Sequence, residues 1–267
     1  MSEKFNHLNP DHFNAMKCLP FSYFSLEEYL DENASVFERN GETIIGVKNQ
    51  EDPTELQALF PPIHPLNREN ISIRLAQQSD RDQMAQQARI LFEKQTITEF
   101  FYRTHDFVHP TGRLAKKIRV FSSRYKPTVT HTYPKDAILE FYRQWEDQRV
   151  RDVRTIGESE ASFFLMVDRL DHSEIKQVYV EIDGALAGFA WGIPHWSGNW
   201  VGLHMKVSYQ YQDLNRFLHH ERAKLFSGSD IFSTGTSMFD TGVDLYKHNL
   251  GPVEERRYFF LLLGEGY

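Results

Sequence analysis

Gln177-Val178-Tyr179-Val180-Glu181-Ile182-Asp183-Gly184-Ala185-Leu186-Ala187-Gly188-Phe189-Ala190-Trp191-Gly192-Ile193 decides the fold of the C-terminal half. It reads as two strands, Gln177–Ile182 and Leu186–Ile193, joined at Asp183-Gly184. An Asp-Gly pair between strands is a hairpin signal, because the tight turns that match strand twist need positive φ at their centre. Downstream, Trp200–Val207 is a third strand. Tyr211–Phe226 comes next as a helix with Leu214, Phe217, Leu218 and Leu225 inward. Ile231–Met238 is a strand, Gly242–Asn249 a short helix stopped by Leu250-Gly251-Pro252, and Glu255–Leu263 a last strand. Upstream, Thr128–Tyr133 is a short strand, and Pro134 opens a helix at its permitted first turn. That helix carries Ile138, Phe141, Tyr142 and Trp145 on one face. A second helix, Ser159–Arg169, aligns Phe163, Val167 and Leu170. The order is β-α-α-β-β-β-α-β-α-β, an α/β chain with mixed sheets.

The N-terminal half reads less regularly. Residues 1–20 form a polar arm, and Phe21–Phe37 reads as a helix with Glu and Asp among aromatics. Asn40-Gly41 marks a turn before a strand at Thr43–Val47. Phe60-Pro61-Pro62-Ile63-His64-Pro65 is an extended loop, since proline also restricts its predecessor. Ser79–Gln87 reads as a helix and Arg89–Lys94 as a strand.

The chain has 267 residues, with 30 Lys+Arg against 37 Asp+Glu and a formal net charge of −7. With 25% charged and 40% hydrophobic residues, the composition is that of a folded globular protein. The acidic balance argues against general nucleic-acid binding over the whole surface. Cys18 is the only cysteine, so an intrachain disulfide, a thiolate zinc site and an iron–sulfur cluster are excluded. The expected location is the reducing cytoplasm. Met1–Phe13 holds no apolar run of signal-peptide length, and no stretch approaches the roughly 20 apolar residues that cross a bilayer.

Gly112–Tyr125 carries a local reversal of charge. Leu114, Ile118, Phe121 and Tyr125 form one helical stripe, and Arg113, Lys116, Lys117 and Arg124 gather on an adjacent flank. From Phe107 to Pro134 there is no acidic residue. The cluster is either a solvated face or a site for a polyanion: a tRNA acceptor stem, an anionic lipid phosphate or a cofactor phosphate.

The strand and helix order resembles that of the GNAT-class N-acetyltransferases. Asp244-Leu245-Tyr246-Lys247-His248-Asn249-Leu250-Gly251 is similar to their closing LYxxxG helix. Thr111-Gly112-Arg113-Leu114-Ala115-Lys116-Lys117-Ile118-Arg119-Val120-Phe121 resembles a basic segment of the C-terminal domain of phosphatidylglycerol lysyltransferases, with Ile118 at one basic position. Glu99–Tyr102, Val180–Phe189 and Tyr209–Asn215 are similar to that family too. The resemblance implies two tandem acetyltransferase-like units, 1–125 and 126–267. It also implies acyl or aminoacyl transfer, with acyl-coenzyme A or aminoacyl-tRNA as donor. In the acetyltransferases a glycine-rich, basic loop between the fourth strand and the next helix holds the coenzyme A pyrophosphate. Here that stretch is Ser208-Tyr209-Gln210-Tyr211-Gln212-Asp213, with no glycine, no basic residue and one carboxylate.

Acyl transfer asks the protein for positioning, a proton acceptor and oxyanion donors. Three residues are candidates for catalysis. Tyr246 matches the acetyltransferase position for a tyrosine that protonates the leaving group. Asp240, before the same helix, is a base or a cap. His204, between Leu203 and Met205, points opposite to both in a regular strand and faces either a cleft or the core. Glu181 reads as a sheet-surface charge. No metal site is expected. Pro110 and the β-like residues between His105 and His109 argue against a shared helix, and adjacent His219 and His220 diverge by about 100° on one. The alternative function is a catalytically silent binding protein that retains the fold.

Overall fold

The computed structural model describes residues 3–4, 34–39, 42–48, 56–60, 71–86, 89–148, 160–195, 198–238 and 241–264. The strands are β1 (Glu3–Lys4), β2 (Ala34–Arg39), β3 (Glu42–Lys48), β4 (Leu56–Phe60), β5 (Ile71–Gln77), β6 (Arg89–Arg103), β7 (Thr128–Thr130), β8 (Lys176–Ile182), β9 (Ala185–Pro194), β10 (Trp200–Val207), β11 (Ile231–Met238) and β12 (Glu254–Gly264). The helices are α1 (Gln78–Met84), α2 (Thr104–Val108), α3 (Gly112–Tyr125), α4 (Lys135–Gln148), α5 (Glu160–Asp168), α6 (Leu214–Lys224) and α7 (Gly242–His248). This is the expected mixed α/β class.

The chain forms two compact units, Met1–Phe100 with Thr236–Tyr267, and Phe101–Gly235. The division differs from the expected boundary at 125/126, for two physical reasons. Ile118 and Phe121 of α3 share a core with Val178, Val180, Leu214 and Phe217, so α3 belongs with the strands and helix downstream of it. The last strand, β12, pairs antiparallel with β5, from Tyr258↔Gln77 to Leu263↔Ile71, so the C-terminal segment belongs with the N-terminal one.

In the first unit the strands run in the order β1-β2-β3-β4-β5-β12-β6. β2, β3 and β4 are antiparallel neighbours, and β4 meets β5 in parallel at Leu56↔Ile73. Ala34–Phe37, expected at the end of a helix, lies in β2 instead; the rest of that expected helix falls outside the described residues. Tyr258, Leu261 and Leu263 of β12 are buried, and the Tyr258 hydroxyl donates to the buried Glu99 carboxylate at 3.1 Å.

The second unit is a three-layer α/β/α arrangement around strands ordered β11-β10-β9-β8-β7. The β8–β9 hairpin turns through Asp183 at φ 52° and Gly184 at φ 79°, with Ile182↔Ala185 as its last pair. Both central residues are left-handed, as the Asp-Gly signal required. On one face, Val178, Val180, Ile182, Ala187 and Ala190 meet α3 and α6 through Ile118, Phe121, Leu214, Phe217 and Leu218. On the other, Tyr179, Phe189 and Trp191 meet α4 and α5 through Ile138, Phe141, Tyr142, Phe163 and Val167. Phe163 stacks on Tyr142 at 3.9 Å and on Trp191 at 5.6 Å between ring centroids.

At Gly188 the sheet is closely packed between its own backbone and α6. A Cβ there would lie 2.8 Å from the Lys206 carbonyl oxygen and 3.0 Å from Leu218 Cδ1. Backbone on one side and a core leucine on the other leave little room to yield. Gly188→Ala is therefore expected to destabilise the protein by about 1–3 kcal/mol, the usual range for overpacking. A urea midpoint equal to that of the parent would contradict the close approach.

Candidate functional site

The β10–β11 edge of the second unit departs from a regular sheet. The two strands pair in parallel only at Trp200↔Phe232 and Val201↔Ser233 among the described residues. Aromatic stacking holds this paired end: the Trp200 ring stacks on Phe226 at 4.5 Å and on Phe232 at 4.2 Å, nearly parallel to each. The Trp200 indole N–H donates to Thr104 Oγ1 at 3.0 Å. Beyond the pair, every residue from Leu203 to Val207 is partly exposed, and so are Thr234 and Gly235. Central strands in a closed sheet bury such residues, so the exposure marks a cleft opening between β10 and β11.

At the cleft, β10 also steps out of register with β9. Gly202 pairs with Gly192, but Met205 pairs with Ala190, so one extra residue is accommodated on β10. Such a bulge re-aims side chains. The regular-strand expectation put His204 opposite to both of its neighbours. Instead Leu203 packs against the aromatic core of Tyr142, Phe163 and Trp191, and the His204 ring meets the same core. It stands edge-on to Phe163 at 5.5 Å and to Trp191 at 5.6 Å. Met205 and Val207 turn to the α3–α6 side. His204 is half-buried, its ring resting on these aromatics on the strand that parts from β11. Two residues on, the Lys206 ammonium lies over the Trp145 ring at 4.4 Å and the Tyr142 ring at 5.8 Å. Nothing in the sequence pattern singles out Lys206; a basic residue two positions from a candidate histidine is the available signal.

Tyr246 lies on α7 of the first unit, half-buried. Thr241 caps this helix, its hydroxyl accepting from the Asp244 N–H at 3.2 Å. Asp240 lies outside the described residues. Tyr246 and His204 therefore belong to different compact units.

The basic helix α3 is formed as expected, with Ile118 and Phe121 inward. Its cations do two different things. Arg113, Lys116 and Arg124 are exposed, and Arg124 lies over the Tyr125 ring at 5.1 Å. Lys117 instead turns to Asp213, Nζ to Oδ1 at 2.8 Å, and Arg216 reaches the same oxygen at 2.9 Å. Asp213 precedes α6 in the left-handed region at φ 67° and makes no side-chain cap to that helix. An acid at a helix start ordinarily serves as a cap. The carboxylate is drawn off by the two cations.

The His105–His109 pair corrects a sequence expectation. Both lie on one helical turn: α2 spans Thr104–Val108, and the His109 N–H donates to the His105 carbonyl at 2.8 Å. Their ring centroids are 4.9 Å apart. Pro110 comes after the helix and does not prevent it. The pair borders an open groove of about 400 Å³ with Arg103, Ser229 and Asp230. Among the described residues no three His, Cys, Asp or Glu side chains are grouped to hold a metal ion. Glu181, expected as a surface charge, accepts from the Tyr133 hydroxyl at 2.9 Å. Among the described residues no helix is long and apolar enough to cross a membrane.

No family model matches the sequence, and no curated protein matches it. Solved structures do match the fold. A conserved protein of unknown function from Bacteroides thetaiotaomicron VPI-5482 aligns with a TM-score of 0.68 at 12% identity, covering 91% of this chain and 90% of its own. The C-terminal domain of a putative lysylphosphatidylglycerol synthetase from Agrobacterium fabrum aligns at 0.55 and 12% identity, covering 86% and 84%. A tandem GNAT protein from the clavulanic acid biosynthesis pathway, in a form without AcCoA, aligns at 0.52 and 12% identity, covering 86% and 82%. The chain thus has a GNAT-like fold, like that of the lysyltransferase C-terminal domain.

Two measurements check the site geometry. The Lys117–Asp213 pair is only partly exposed, at 23% and 14% of the side chains. A double-mutant cycle of Lys117→Met and Asp213→Asn in urea is expected to give a coupling of about 0.5–1 kcal/mol, between the surface-pair and buried-network ranges. A coupling of zero would mean the ion pair is not held. In the aromatic core beneath His204, the fully buried Tyr179 hydroxyl donates to Gln177 Oε1 at 2.6 Å and accepts from the Trp191 N–H at 3.2 Å. Burial raises its pKa well above the ordinary tyrosine value. Since the unfolded phenol ionises near about pH 10, the contribution is complete below that pH and lost as pH rises through the raised native value. Stability of the parent is expected to fall faster above about pH 10 than that of Tyr179→Phe. Parallel alkaline limbs would show that Tyr179 is hydrated.

Proposed function

We propose that the protein is an acyl- or aminoacyltransferase whose second unit works at the cleft between β10 and β11. The observation that carries the reading is the parting of these strands after Val201↔Ser233, with half-exposed residues beyond it. A sheet of this fold gives up central hydrogen bonds and core burial there, a cost that a bound acyl chain or aminoacyl group offsets. The solved structures that share the fold include the domain of a putative lysylphosphatidylglycerol synthetase and a tandem GNAT protein, which supports group transfer as the reaction class.

In this reading an acceptor amine or hydroxyl attacks the donor carbonyl. The new C–N or C–O bond forms as the bond from the carbonyl to the carrier breaks. The acceptor proton goes to a base, and the carrier leaves with a proton from an acid. His204, at the cleft mouth on an aromatic floor, serves as the base. Tyr246 and Asp240 remain the candidates of α7 and its approach. The acyl carrier is acyl-coenzyme A or aminoacyl-tRNA, and Arg113, Lys116 and Arg124 form the exposed surface for its polyanionic part or for an anionic lipid acceptor.

A second reading rests on a specific observation. The helix end that comes after β10 presents a carboxylate, Asp213, where a phosphate-binding transferase presents amides and cations. A silent binding protein that retains the fold is consistent with it.

The test supplies radiolabelled aminoacyl-tRNA or acetyl-coenzyme A with small amines, peptides and phosphatidylglycerol vesicles as acceptors. Transfer by the parent, lowered about 10²–10⁴-fold in kcat by His204→Ala, is expected for a general base. Saturable binding with no turnover of either donor supports the silent reading. For the basic surface, Lys116→Ala with Arg124→Ala is expected to lower the slope of log affinity for tRNA against log salt by about two, one per lost phosphate contact. An unchanged slope would assign these cations to solvation.

A further inference from the structure

The fold shared with a tandem GNAT protein brings with it the question of coenzyme A, whose diphosphate needs a cradle of outward N–H groups and cations at a helix start. In the second unit that place is Ser208–Phe217, between β10 and α6. Six of its ten amides are bonded within the chain. Ser208 N–H donates to the Ala187 carbonyl at 2.8 Å, Gln210 N–H to Ser208 Oγ at 3.4 Å, and Tyr211 N–H to the Ser208 carbonyl at 3.5 Å. Leu214 N–H donates to the Tyr211 carbonyl at 3.3 Å and Phe217 N–H to the Asp213 carbonyl at 3.1 Å. Arg216 N–H is shared between the Asp213 carbonyl at 3.1 Å and Asn215 Oδ1 at 2.9 Å. Six amides of this stretch are thus satisfied within the chain.

The cations are satisfied as well. Lys117 and Arg216 converge on one oxygen of Asp213, at 2.8 and 2.9 Å. Asp213 stands at φ 67°, a conformation usually left to glycine, and brings a carboxylate to the start of α6. A diphosphate entering here meets a fixed negative charge, and the two nearest cations already have their counter-ion.

We infer that the α6 end of the second unit is closed to a nucleotide diphosphate by the chain's own Asp213, acting as an internal anion between Lys117 and Arg216. Coenzyme A does not fit in the manner its fold relatives suggest. The donor used at the β10–β11 cleft carries its acyl group without a diphosphate at this helix end. The inference rests on the transferase reading for the word donor, but the closure itself is a statement about binding.

The experiment titrates the intact parent protein with acetyl-coenzyme A, following heat and backbone amide resonances together. No saturable heat, or saturable heat that leaves the Ser208–Phe217 resonances in place and persists in Lys117→Ala with Arg216→Ala, is the expected result. Saturable binding that shifts those resonances, weakened tenfold or more by the double substitution, would overturn the closure. Turnover is not part of this readout. A protein that transfers nothing would end the transferase reading and leave the closure standing, whereas binding at α6 would end the closure and leave the transferase reading intact.

Discussion

The guanidinium of Arg222 lies flat against the backbone of Gly202, so close that a Cβ there would meet Nη2 at 2.6 Å and Cζ at 2.7 Å. From α6 it donates through Nη1 to the Trp191 carbonyl at 2.9 Å, meets His219 Nδ1 at 3.2 Å and lies over the Trp200 ring at 5.3 Å. Arg222 is 1% exposed. Trp191 sits on β9 opposite the point where β10 takes in its extra residue, between the pairs Gly202↔Gly192 and Met205↔Ala190. A buried charge is costly unless its donors find partners, and here Nη1 and Nη2 find them in Trp191 and His219. The contact ties helix, bulge and the stacked end of the cleft into one unit. The strands part only after Trp200 and Val201, where this support stops, and the exposure of Leu203–Val207 results from it.

What the sequence made legible was whatever depends on local pattern. The Asp183-Gly184 turn was readable because its residues alone tolerate that backbone. The stripe of α3 was readable because Leu114, Ile118, Phe121 and Tyr125 repeat at the helical period. The strands β10 and β11 had their limits read correctly from composition and flanking turns. What failed was whatever depends on distant partners. The face of His204 was read from an alternation that holds only in a regular strand, and the bulge that breaks it is set by β9 and by Arg222. Ala34–Phe37 closes a stretch whose aromatic and acidic residues suit a helix, yet pairing with β3 makes these four residues a strand. The turn at His105–His109 was discounted because of Pro110, although proline bars a helix from continuing through it and not from ending just before it.

The charge pattern shows the same division between local and distant information. From Phe107 to Pro134 the chain is free of acids, and counting along the sequence gives four cations on one flank of α3. In space, Asp213 answers from 96 residues away and neutralises Lys117 together with Arg216. The flank is thus split into an inner ion pair, partly screened from water, and an outer face of Arg113, Lys116 and Arg124 that keeps its charge. The inner pair joins α3 to the start of α6, over a core already shared through Phe121 and Phe217, whose rings lie 4.9 Å apart. It fixes where the chain leaves β10 and enters the helix. A loop so fixed cannot rearrange around a phosphate without first breaking two ion pairs and several internal hydrogen bonds. A loop built to hold a phosphate leaves those donors to its ligand. Here they are committed to the fold, which is why the proposed transfer is assigned to the cleft between β10 and β11 and not to the helix end beside it.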